Sequence, residues 1–371
     1  MRDIGIGIVG GGYMGKAHAV AMASVGAIFD TALRPRLVSV AASSADSAAA
    51  YARAFGFDRA APDWRALVDD PAVEAVVIAT PPATHREIAE AALARGKPVL
   101  CEKPLAPTLA DARAMTEVAA RAGVANMVGF NYIRTPASQF ARKLVADGAV
   151  GRVTWVRGEH VEDYMSDPAA PANWRTADPS SGATGDVGAH ILNALLALVG
   201  PIESLCAVRE TVHAERTGQD GPEPVVNDDQ VQMMLRFAGG AMGQVHASRI
   251  QTGRKMGYAY EIVGTDGMIR FDQEDQNALW LYRAEGPVET RGFRKILAGP
   301  AHPDFLAFCQ GAGHGTGYQD QIAIEARDFL AAIETGRPVW PTFADGLEVD
   351  RLIAAIAFSD ERRGWVDVSD V

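Results

Sequence analysis

Ile4-Gly5-Ile6-Gly7-Ile8-Val9-Gly10-Gly11-Gly12-Tyr13-Met14-Gly15 decides how the first third of the chain folds. The run Ile4–Val9 is short, apolar and rich in Ile, as a strand buried in a parallel sheet is. Glycines follow, then a helical stretch from Lys16 to about Val25. G-x-G-x-x-G in this strand–turn–helix setting is a dinucleotide-binding fingerprint. Gly10 permits the tight turn, Gly12 lets a pyrophosphate approach the helix N-terminus, and Gly15 lets helix and strand pack closely.

Beyond this stretch, helices and strands keep alternating. Leu37–Ala42 reads as the second strand, Ala45–Phe55 and Trp64–Val68 as helices, and Ala75–Thr80 as a strand stopped by Pro81-Pro82. His85–Arg95 has helical spacing and Val99-Leu100-Cys101 begins another strand. This is the pattern of an α/β, doubly wound parallel sheet, a Rossmann domain over residues 1–130. Ligands of such sheets bind beyond the strands' carboxyl ends, where Thr80-Pro81-Pro82 and Glu102-Lys103-Pro104 lie. The second strand should end on an acid for a ribose 2′-hydroxyl or a basic residue for a 2′-phosphate. Ser43 and Ser44 stand there instead, with Asp46 beyond. NAD and NADP both stay open, and the absence of Arg or Lys in that turn favours NAD.

From residue 131 to 371 the texture is α+β. Strand-like segments are Arg152–Glu159, Ile202–Val208, Asp229–Phe237, Ala241–Arg249, Tyr258–Gly264, Gly267–Asp272 and Leu279–Arg283, parted by Gly-containing turns. They predict a large, mostly antiparallel open sheet with helices on one face, in a substrate-binding and oligomerisation domain. Residues 299–318 read as a long glycine-rich loop before a helix Gln319–Glu334, placed to close over a substrate with His314 and Tyr318. A last helix is expected over Asp345–Glu361. Leu347, Leu352, Ile353, Ile356, Trp340 and Trp365 read as core.

Composition narrows the partners. A net charge of −11 argues against nucleic acid, which demands a basic face. No uninterrupted apolar run is long enough for a membrane helix. Cys101, Cys206 and Cys309 are few and scattered, which with no leader-like start favours a cytoplasmic protein over a disulfide scaffold. His160, Glu162 and Asp163 invite a metal reading. Alternation along a strand turns Asp163 away from the other two, so no metal is expected.

Five motifs then occur in order: Ala79-Thr80-Pro81-Pro82-Ala83-Thr84-His85, Cys101-Glu102-Lys103-Pro104-Leu105, Gly129-Phe130-Asn131-Tyr132, Asn173-Trp174-Arg175 and Gly185-Asp186-Val187-Gly188-Ala189-His190. Over essentially its whole length the chain resembles the glucose–fructose oxidoreductase / inositol dehydrogenase (Gfo/Idh/MocA) family. Within it, Met14-Gly15-Lys16-Ala17-His18, Arg134-Thr135-Pro136, Gly299-Pro300-Ala301-His302-Pro303 and Phe343-Ala344-Asp345-Gly346 look like bacterial sugar dehydrogenases of the levoglucosan-dehydrogenase type.

The resemblance implies an NAD(P)-dependent oxidoreductase, a homodimer or homotetramer, acting on a secondary hydroxyl of a sugar, anhydrosugar or cyclitol. It assigns catalysis to Lys103, Asp186 and His190. Beside the loop residues Gly10, Gly12, Tyr13, Met14 and Gly15, with Ser43, Ser44 and Thr80, it places Pro81, His85, Glu102, Lys103 and Asn131 around the nicotinamide end. Trp174 and Arg175 cover the cofactor. Substrate contacts are expected from Lys103, Tyr132, Asp163, Tyr164, Asp186, His190, His314 and Tyr318.

The chemistry fits these residue types. An imidazole, with its ordinary pKa near 6.5, suits a hydroxyl-proton acceptor. An ammonium opposes charge developing on the oxygen. If 186–190 is helical, Asp186 and His190 share a face, and the carboxylate either orients the imidazole or bonds substrate. Glu102 either anchors the cofactor ribose or holds Lys103. Two other readings remain: a redox-neutral enzyme that retains NAD, and a non-catalytic cofactor-sensing regulator.

Overall fold

The computed structural model describes residues 2–371. In chain order the elements begin β1 (Arg2–Val9), α1 (Tyr13–Ile28), β2 (Leu33–Ala41), α2 (Ala45–Phe55), β3 (Arg59–Ala60), α3 (Trp64–Asp69), β4 (Ala75–Ile78), α4 (His85–Ala94), β5 (Val99–Glu102), α5 (Leu109–Ala122) and β6 (Asn126–Gly129). They continue with α6 (Pro136–Ala146), β7 (Val153–Val161), α7 (Trp174–Ala177), α8 (Ala189–Val199), β8 (Ile202–Glu210), β9 (Glu215–Thr217), β10 (Pro222–Pro224), β11 (Gln230–Phe237) and β12 (Met242–Ser248). The last are β13 (Gly257–Gly264), β14 (Gly267–Asp272), β15 (Ala278–Arg283), β16 (Arg294–Leu297), α9 (Phe305–Phe308), α10 (Tyr318–Thr335), α11 (Phe343–Arg362) and β17 (Val366–Asp367).

The chain forms two compact units. One contains the residues up to Arg134 with Gly317–Asp350, the other Thr135–Thr316 with Arg351–Val371. In the first, six parallel strands run in the order β3-β2-β1-β4-β5-β6. Strand order reverses between β1 and β4, so the loops leaving these two strands flank the crevice where such sheets take ligands. Helix starts and stops follow local rules. Ser44 accepts a hydrogen bond from Ser47 N to begin α2, and Gly56 ends it with φ 74°. Ile322, Ala326, Phe329 and Leu330 of α10 belong to one core with Ile6, Ile8, Ala19 and Met22. That apolar stripe is what draws residues 317–350 back to the N-terminal sheet.

The second unit is built on nine strands in the order β16-β15-β14-β13-β7-β12-β11-β8-β17. Every neighbouring pair is antiparallel except β7 and β12. Alternation sorts the two faces: Val231, Met233, Leu235 and Phe237 of β11 are buried, while Met234 between them is exposed. Helix α8 packs on β7 at Gly158, where a Cβ would sit 2.9 Å from Ile191 Cγ1. Two expectations are corrected here. The 299–318 segment contains the short helix α9, and α10 begins at Tyr318. Trp365 is 47% exposed with the Arg236 guanidinium over its ring, because the short β17 it precedes lies at the sheet edge.

Candidate active site

In the first unit the glycine loop joins β1 to α1. Gly10 has φ 127°, and a Cβ on it would lie 2.3 Å from Ala79 O. A Cβ on Gly15 would lie 2.1 Å from Gly10 O, while one on Gly12 would meet nothing within 4 Å. The space at the start of α1 is therefore open. No side chain caps the helix and its first turn holds no acid, so its first N–H groups can receive an anion. A dinucleotide pyrophosphate fits that donor set. Tyr51 fixes the loop by donating its hydroxyl hydrogen to Gly12 O at 2.8 Å.

The turn after β5, Glu102-Lys103-Pro104, is held from several sides. Glu102 is buried; its Oε1 lies 2.7 Å from His18 Nε2, and its Oε2 accepts from Lys103 N at 3.3 Å. The Lys103–Pro104 peptide is cis. The fully buried His85 ring lies between Thr80 O (2.9 Å) and Pro104 O (3.1 Å), and burial lowers its pKa, favouring the neutral imidazole. Farther along, Ala106 N donates to Asp350 Oδ2 at 3.0 Å. His85 thus ties the β4 turn to the β5 turn that carries half-buried Lys103.

In the second unit Thr184–Gly188 forms a π-helical turn leading into α8. Such turns recur at functional sites. Asp228 anchors its start, accepting from Thr184 N and Thr184 Oγ1, both at 2.8 Å. Asp186 Oδ2 accepts from the Tyr164 hydroxyl at 2.7 Å and from Arg175 Nε at 3.2 Å. Desolvation of its hydroxyl and the Asp186 charge push the Tyr164 phenol well above its ordinary value, so it stays a donor. His190 is buried at the start of α8, its ring centroid 5.4 Å from that of His160. His160 Nε2 in turn meets Glu162 Oε1 at 3.0 Å. The unit thus offers a doubly held carboxylate and, four residues later, a buried imidazole.

A buried network supports this arrangement. Arg249 donates to Asp229 Oδ1 (2.9 Å), Asn227 Oδ1 (2.7 Å), Arg175 O (3.1 Å) and Ser181 O (3.2 Å). Asn227 Nδ2 adds Arg175 O and Asp178 O, both at 2.6 Å. Asn173 caps α7, and Arg175 lies over the Trp174 ring at 4.2 Å.

The other expected residues divide between the units. Tyr318 belongs to the first, packed with Tyr13 and Tyr132 at 5.9 Å each and donating to Met14 Sδ at 3.3 Å. Buried Asn131 donates to Gln321 Oε1 at 3.1 Å. Thr84 Oγ1 donates to Thr80 Oγ1 at 2.8 Å, Pro81 and Ser43 are exposed, and Ser44 is taken up as a helix cap. In the second unit, Asp163 is engaged by Lys255 Nζ at 2.6 Å, and exposed His314 by Cys309 Sγ at 3.0 Å. Among the described residues, one group of possible metal-ligand atoms clusters within 4.8 Å: His18, Glu102 and Glu325. His18, quoted only within a motif, and Glu325, Asp228 and Asp350 were given no site role from sequence. The partner of each lies far along the chain.

Comparison with known proteins matches the profile of an oxidoreductase family with an NAD-binding Rossmann fold to residues 4–130, and that of the GFO/IDH/MocA C-terminal domain to residues 138–270. The chain belongs to the Gfo/Idh/MocA oxidoreductase family. Levoglucosan dehydrogenase of Pseudarthrobacter phenanthrenivorans is 40% identical over all of both chains. The inositol 2-dehydrogenase of Rhizobium meliloti is 30% identical over 95% of this chain and 94% of its own. A solved levoglucosan dehydrogenase in complex with NADH and levoglucosan superposes with a TM-score of 0.97, at 39% identity over 100% of each chain. An inositol dehydrogenase homologue from Azotobacter vinelandii, complexed with NADH and myo-inositol, gives 0.83 at 26% identity over 99% and 98%. This Gfo/Idh/MocA chain is thus an oxidoreductase whose Rossmann unit is of the NAD-binding kind.

Proposed function

We propose that this enzyme is an NAD-dependent dehydrogenase that oxidises a secondary hydroxyl of a sugar, anhydrosugar or cyclitol to a ketone. The observation that carries the reading is the Thr184–Gly188 turn, which sets a doubly held Asp186 carboxylate four residues before the buried His190 imidazole. Bound NAD supplies the hydride acceptor. Gly10, Gly12 and the first N–H groups of α1 hold its pyrophosphate, and Glu102 accepts from its ribose. His190 takes the hydroxyl proton. Asp186 accepts hydrogen bonds from the substrate, and the Lys103 ammonium stabilises charge developing on the reacting oxygen. Trp174 and Arg175 cover the cofactor.

Full-length similarity to levoglucosan dehydrogenase makes anhydrosugars the first substrates to try, with pyranoses and inositols next. The test is NADH appearance on mixing enzyme, NAD or NADP, and each sugar. Net NADH formation with at least one of them supports the reading, as does its loss in Lys103→Ala and His190→Ala while NADH still binds. Cofactor that co-purifies tightly and cycles with no net NADH would replace this reading with a redox-neutral one.

A further inference from the structure

The first unit contains a buried cluster in which Glu102 meets two residues, His18 and Glu325, that the proposed chemistry does not use. His18 comes from the second turn of α1, Glu102 from the end of β5 and Glu325 from the middle of α10. All three are buried, and their ligand atoms lie within 4.8 Å of one another. His18 Nε2 stands 2.7 Å from Glu102 Oε1. Glu102 also abuts β6, where a Cβ on Gly129 would fall 3.0 Å from the same Oε1 and 3.1 Å from Cδ. The missing side chain at Gly129 leaves room for the carboxylate, and His18 is its side-chain partner.

A proton, not a metal ion, suits this geometry. Ligands about 2.0–2.2 Å from a tetrahedral zinc sit more than about 3 Å apart, whereas the His18–Glu102 separation is that of a direct, charge-assisted hydrogen bond. The Arg134 guanidinium, 3.7 Å from Glu325 Oε2 and also paired with Asp328, already opposes the negative charge on the far side.

We propose that His18 is a positioning residue for cofactor binding: its Nε2–H clamps the Glu102 carboxylate between α1 and Gly129, so that the same helix that receives the pyrophosphate also sets the acid facing the ribose. The proposal rests on the reading of Glu102 as the ribose acceptor. The arrangement matters because a carboxylate left to rotate in that space must be ordered each time a ribose binds, a cost taken from affinity. Burial opposes a proton on His18, yet the hydrogen bond to Glu102 and the Glu102 charge raise its pKa, as suits an imidazole that keeps a proton on the shared bond.

The test is NADH binding followed by fluorescence titration in His18→Ala and His18→Gln, with thermal melts to confirm folding. Losing a buried hydrogen bond to a charged group weakens the NADH Kd by about tenfold or more in His18→Ala. Glutamine also carries an Nε2–H, and is expected to restore the Kd to within about threefold of wild type. A folded His18→Ala that binds NADH like wild type overturns the proposal, and so does His18→Gln binding no better than alanine. If the wild-type protein itself does not bind NADH, the cofactor reading and this proposal fall together. If only the variants behave unexpectedly, the cofactor reading stands and the assignment of His18 falls.

Discussion

The Tyr164 hydroxyl donates to Asp186 Oδ2 at 2.7 Å, on the same oxygen that accepts from Arg175 Nε. A carboxylate held by two donors has its other oxygen fixed in direction. Tyr164→Phe removes one donor and keeps the ring. With Arg175 still in place, kcat/KM for the sugar should fall about tenfold, matching the loss of one hydrogen bond to a charged group. NADH Kd should be unchanged, because Asp186 is assigned to the substrate. Steady-state kinetics and a cofactor titration on the same preparation separate the two, and equal losses in both would move Tyr164 to a structural role.

Arg249 and Asp229 form an ion pair in which neither side chain is exposed. Asp229 Oδ2 also receives Val212 N (2.9 Å) and His213 N (2.8 Å), which hold the carboxylate in place, so without Arg249 it is a buried charge lacking its cation. Arg249→Met should destabilise the second unit by about 3–5 kcal/mol, the usual cost of stranding a buried charge. It also removes one donor from Ser181 O and one from Arg175 O, which keeps Asn227 Nδ2. Denaturant melts should therefore show a lowered midpoint, with part of the loss recovered in the double variant Arg249→Met, Asp229→Asn. A single variant as stable as wild type would show the pair to be dispensable.

Glu325 gives stability a pH signature. Burial raises its carboxyl from 4.5 to about 7, against the counteracting charges of Arg134 and His18. Between those values the folded state holds a proton that the unfolded chain has released. Stability from this group is therefore complete below the unfolded value and is lost as pH rises through the folded one. Glu325→Gln cannot ionise. Above neutral pH it should be more stable than wild type, by at most on the order of 3 kcal/mol, and the gap should close toward pH 5. Thermal melts across that range decide it; a gap that widens toward acid would reverse the sign and refute the account.

Much of this was legible in residue patterns because it is local. Ile4–Val9, the glycines and the following helix read as strand, turn and helix because each obeys its own periodicity, and the structure has β1 and α1 there. The pairing of β7 with β12 was not legible. Hairpin signals report neighbours in sequence, whereas these two strands are parallel and joined through α8, β8 and β11. The return of α10 was hidden for a similar reason: its stripe of Ile322, Phe329 and Leu330 announces a buried face without saying which sheet buries it. A helical turn over 186–190 was read only as a condition; the structure winds Thr184–Gly188 as a π turn whose start is held by Asp228, 44 residues away. His18 was visible only as the last residue of the motif Met14-Gly15-Lys16-Ala17-His18; its pairing was not, because Glu102 is 84 residues away.

The glycine loop offers the sharpest contrast between fold and function. Gly12 and Gly15 stand three residues apart, yet a Cβ on the first meets nothing within 4 Å while one on the second lies 2.1 Å from Gly10 O. Gly15→Ala should therefore damage folding, because backbone must move to admit it. Gly12→Ala should melt close to wild type, since its methyl enters only the space at the start of α1, which no side chain fills. If that space receives a pyrophosphate, the methyl keeps the phosphate oxygens from the helix N–H groups, and NADH affinity should drop more than about tenfold. NADH added in excess should raise the melting temperature of wild type, as any ligand bound to the folded state does, but not that of Gly12→Ala. A Gly12→Ala protein stabilised by NADH as strongly as wild type would place the pyrophosphate elsewhere and remove the structural basis for reading this loop as the cofactor cradle.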